Sequence, residues 1–102
     1  MKEHLLYEDN ILKIIFNESK SKAESNKNFY TLYIPKNRTF VPGFYPIRED
    51  VFEKLVKSNG SLEYELNNVN SRLVSSIKQN MKMSDFEKIV KKAYETKINS
   101  IN

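Results

Sequence analysis

About midway along this chain the hydrophobic residues change their spacing, and that change limits the folds open to it. In the first half they alternate every second residue, which is the period of a half-buried strand. In the second half they recur at three and four, which is the period of an amphipathic helix. The run Ile14-Ile15-Phe16 is as long as any apolar run present. No segment therefore has the length needed to cross a membrane.

The first half reads as strands and turns. Residues Ile11 to Asn17 place Leu12, Ile14 and Phe16 on one face and Ile11, Lys13 and Ile15 on the other. Glu8-Asp9-Asn10 is a turn signal, so His4 to Tyr7 form a short preceding strand. Residues 18–28 contain a single apolar residue, Ala23, and read as a mobile loop. Phe29 to Ile34 form the next strand, with Tyr30, Leu32 and Ile34 on one face and Phe29, Thr31 and Tyr33 on the other. Pro35-Lys36-Asn37 marks a tight turn, after which Arg38 to Val41 return as a strand. Pro42-Gly43-Phe44-Tyr45-Pro46 is expected to break pairing and form a structured connection.

The second half reads mainly as helices. Arg48 to Ser58 carry Val51, Phe52, Leu55 and Val56 as one stripe, and Asn59-Gly60 ends it. Residues 61–66 fit either a strand or a helix. Because Asn67-Asn68-Val69-Asn70 is poor helix interior, the segment divides into a strand, a turn, and a helix over 71–81. Ser84-Asp85-Phe86-Glu87 has the pattern of a capping box. The helix it opens, about 84–98, groups Phe86, Ile89, Val90, Ala93 and Ile98. The expected fold is α+β: an N-terminal antiparallel sheet of three to five strands packed with two or three helices. With 102 residues, 39% of them hydrophobic, the chain suits a single domain over 1–102.

Catalytic chemistry finds little purchase. Cysteine is absent, which removes disulfides, thiolate nucleophiles and Cys-based zinc sites. His4 is the only histidine, and nothing sets it beside a serine. Asp9 and Glu18 flank one extended strand and so stand about 25–30 Å apart, too far to share metal ions. Glu63 and Glu65 would share a strand face, but no further ligand accompanies them. The two glycines, Gly43 and Gly60, form no phosphate-cradling loop. The chain reads as a non-enzyme without cofactor or metal. Lacking a signal-peptide pattern and cysteine, it reads as cytoplasmic.

Binding is the class that remains. The net charge is +4, from 17 basic and 13 acidic residues. Fourteen of the basic residues are Lys and three are Arg, a mixture suited to diffuse phosphate attraction rather than base reading. Lys13, Phe29 and Tyr33 would present a stacking platform on the sheet face away from the helices. Lys36 and Arg38 would add charge from the adjoining turn. The helices over 71–81 and 84–98 have a helix-turn-helix layout, but Asp85 and Glu87 at the start of the second would repel phosphate. The segment 40–46 concentrates Phe40, Phe44 and Tyr45 between prolines, a composition suited to protein contacts.

The expected function is a small binding protein acting on nucleic acid or nucleic-acid-bound machinery. The alternative is an inhibitor or adaptor of a phage or mobile element, docking on a host protein through residues 40–46. Abundant Asn, Lys and Ile point to an AT-rich source. A homodimer would use the same aromatics.

Overall fold

The computed structural model describes residues 2–20, 27–35 and 43–101. Four strands come first: β1 (Lys2–Glu8), β2 (Lys13–Glu18), β3 (Phe29–Ile34) and β4 (Gly43–Arg48). Four helices follow: α1 (Glu49–Lys57), α2 (Leu62–Val69), α3 (Ser71–Asn80) and α4 (Met83–Ile101). The expected α+β class stands, with four helices in place of two or three.

The strands pair in chain order, each antiparallel to the next. Alternation decides which residues point inward. Ile14 and Phe16 of β2, Tyr30, Leu32 and Ile34 of β3, and Ile47 of β4 are all buried, as is Leu12 just before β2. The inward side chains meet Phe52 and Leu55 of α1, Leu62 and Leu66 of α2, Leu73 and Ile77 of α3, and Phe86, Val90 and Ala93 of α4. At the centre the Tyr30 and Phe52 rings stack 3.7 Å apart, 13° from parallel, with Phe16 tilted against Tyr30 at 5.0 Å. All the helices thus contribute to one core, on one side of the sheet.

Local chemistry sets the joints. The Asp9 carboxylate accepts from the amides of Ile11 and Leu12 and closes the β1–β2 turn. Gly60 adopts φ +80°, a conformation that side-chain-bearing residues resist, and turns the chain from α1 toward α2. The Asn70 side chain accepts from the amides of Arg72 and Leu73 and caps α3.

Three expectations change. Residues 61–66 are not a strand, because Ser61 precedes α2 and the buried pair Leu62 and Leu66 lies four residues apart, a helical spacing. Tyr64, which a strand would have placed beside them, is 69% exposed. Residues 43–46 do not interrupt the sheet. They belong to β4, an edge strand, where a missing proline N–H is tolerated. Helix α4 begins at Met83, and the Lys82 carbonyl accepts from the amides of Asp85 and Phe86, so Ser84 lies within the first turn. Its inward stripe runs through Lys97 to Ile101 and passes over Ile98, which is 38% exposed. The expected strand over 38–41 lies outside the described residues, as does most of the loop expected over 18–28.

Candidate interface on the open face of the sheet

No described element packs on the sheet face opposite the helices, where the two edge strands are exposed, the central strands β2 and β3 are half-buried, and Asn17 is buried. Its composition follows from the strand registers. One row across the sheet is Glu8, Lys13, Tyr33 and Phe44. The middle row is Leu5, Ile15, Thr31 and Pro46, and the last is Glu3, Asn17, Phe29 and Arg48. Lys13, Phe29 and Tyr33 therefore lie on the side anticipated for them. Phe44 joins them there, because β4 pairs it with Tyr33.

The first row forms a connected strip. The Tyr33 and Phe44 rings lie 4.5 Å apart, tilted by 30°. The Lys13 ammonium sits 5.9 Å from the Tyr33 ring centre, within reach of a cation–π attraction. Phe44 is 66% exposed, and Leu5 in the middle row, 55% exposed, continues the apolar surface. Between the rings and the last row, the Thr31 hydroxyl donates to the Asn17 carboxamide oxygen at 2.7 Å and fixes the middle of the sheet.

Tyr45 goes the other way. It lies against the core, and its hydroxyl meets the Ser76 hydroxyl of α3 at 3.1 Å. A side chain at Gly43 would overlap the Tyr45 ring, so this glycine lets the ring lie along the strand. Lys36, Arg38 and Phe40 lie outside the described residues. Of the expected contact residues, the open face thus brings together Lys13, Phe29, Tyr33 and Phe44. Arg48, Leu5 and Pro46 complete it and were missed by the sequence reading. Reading residues 44–48 as a strand would have found Pro46 and Arg48 through the outward alternation of Phe44.

The electrostatics of the face are balanced. Lys13 lies 3.7 Å from the Glu8 carboxylate. Arg48 forms a two-pronged pair with Asp50, Nε to Oδ1 at 3.1 Å and the terminal nitrogen to Oδ2. Hydrogen bonding from Arg48 holds the Asp50 carboxyl below its ordinary value and raises Arg48 in turn. At the turn beside the first row, the Tyr7 hydroxyl donates to Asp9 at 2.5 Å, and this bond, aided by burial, pushes the Tyr7 pKa up to about 12. Partial burial opposes ionisation of Asp9, but the Tyr7 hydroxyl and two turn amides outweigh it and lower its pKa.

Other surfaces offer less. A depression of about 460 Å³ between α1 and the start of α2 is shallow and lined by charges of both signs, of which Lys54 meets Glu65 at 3.7 Å. Glu63 and Glu65 do not converge, since Glu63 instead meets Lys78 of α3 at 3.3 Å. His4 lies in β1 and meets Glu18 at 2.7 Å. Among the described residues no three His, Cys, Asp or Glu side chains are grouped to hold a metal ion. No described helix is long and apolar enough to cross a membrane.

Comparison with known proteins finds no family model, no curated protein and no solved structure that matches this chain.

Proposed function

We propose that this chain is a small non-enzymatic binding protein whose working surface is the open sheet face and whose partner is a protein. The observation that carries this reading is the strip Lys13–Tyr33–Phe44, half-buried at Lys13 and Tyr33 and exposed at Phe44, in a face whose cations Lys13 and Arg48 stand beside carboxylates. A phosphate backbone gains affinity by neutralising its charge on free cations. Here Glu8 stands beside Lys13 and Asp50 beside Arg48, so the face offers a phosphate little uncompensated positive charge. An apolar protein surface needs none. Covering Phe44 and Leu5 alone is worth about 2–4 kcal/mol by burial of apolar area.

The partner's matching surface is accordingly flat, uncharged at its centre, and rimmed by both signs of charge. Small size and an AT-rich composition suit an inhibitor or adaptor of a phage or mobile element, and the lack of cysteine suits a cytoplasmic setting.

Two measurements test the reading. Fluorescence anisotropy with labelled single-stranded DNA, duplex DNA and RNA should show no binding at near-physiological salt. A photo-crosslinking residue at position 44 should give discrete protein adducts in cells, and one at position 64 should not. Nucleic-acid binding that persists at the higher salt and disappears with Phe29→Ala and Tyr33→Ala would return the function to the nucleic-acid class.

A further inference from the structure

We draw no further inference here: the strongest candidate, the sheet face opposite the helices with Leu5 and Phe44 exposed on its two edge strands, carries nothing beyond the docking reading already given, because nothing in the structure shows what covers it.

Discussion

Tyr30→Phe should stabilise this protein, against the usual direction for such a change. Tyr30 is fully buried, and its hydroxyl has no hydrogen-bond partner among the described residues. A buried hydroxyl left unpaired costs about 1–3 kcal/mol in desolvation. Removing it leaves a gap of about 10 Å³, which costs only ~0.2 kcal/mol at ~24 cal/mol per Å³. The ring's stack on Phe52 is untouched. A net gain of about 1 kcal/mol is expected, equivalent to a rise of ~4–8 °C in Tm for a domain of this size. Urea denaturation at constant m reads it directly, as a higher midpoint.

The same substitution should extend the alkaline limit. Burial, reinforced by the charges of Glu49 and Glu53, raises the Tyr30 pKa above its ordinary 10.0. The stability linked to a raised pKa is complete below the unfolded value and drains as the pH climbs above it. Phenylalanine cannot ionise, so the variant should lose less stability above pH 10 than the parent. A lower urea midpoint for Tyr30→Phe would show that the hydroxyl makes a hydrogen bond, and would refute the reasoning.

Asn70→Ala should cost about 1 kcal/mol, read by urea denaturation, because it frees the two amides that Asn70 caps at the start of α3. At Lys97, which meets Glu49 at 3.3 Å and lies 5.2 Å from the Phe16 ring centre, substitution by Ala should destabilise by about 1–3 kcal/mol. Lys97→Met keeps the apolar stem and should cost less than about 1 kcal/mol in the same assay. Tyrosinate absorbance should show Tyr7 ionising near 12 in the parent and closer to 10 in Asp9→Asn, since the hydrogen bond to Asp9 is the main cause of the shift. A Tyr7 that ionises near 10 in the parent would mean that this bond is broken in solution.

Strand pattern was the most legible feature in the sequence. Leu12, Ile14 and Phe16, like Tyr30, Leu32 and Ile34, share the buried face their alternation assigns them. Residues 61–66 misled because Leu62, Tyr64 and Leu66 fit both periods, and only packing against the other helices selects the helical one. β4 misled because its two flanking prolines resemble a break, whereas an edge strand accommodates Pro46. That misreading also separated the candidate site into two. Taken as a connection, residues 40–46 appear as a surface of their own. Taken as a strand, residues 43–46 divide between the faces, with Phe44 beside Tyr33 and Tyr45 against α3.

Two side chains occupy places opposite to their chemistry, and the reasons differ. Lys97 is buried because helix phase leaves it no choice. Phe86, Val90 and Ala93 fix the inward stripe of α4 at steps of four and three, and the next step lands on residue 97. Turning α4 to bury Ile98 would lift the other three residues off the core. The pair with Glu49 and the Phe16 ring make the burial tolerable. Phe44 is under no such constraint. It points outward from an edge strand, away from every described helix, where a polar side chain would fold as well. Phe44→Ser should therefore leave the urea midpoint within about 0.5 kcal/mol of the parent. If it does so while abolishing partner binding, Phe44 serves contact rather than folding. If instead it unfolds the domain, the open face is part of the core, and the docking reading loses its anchor.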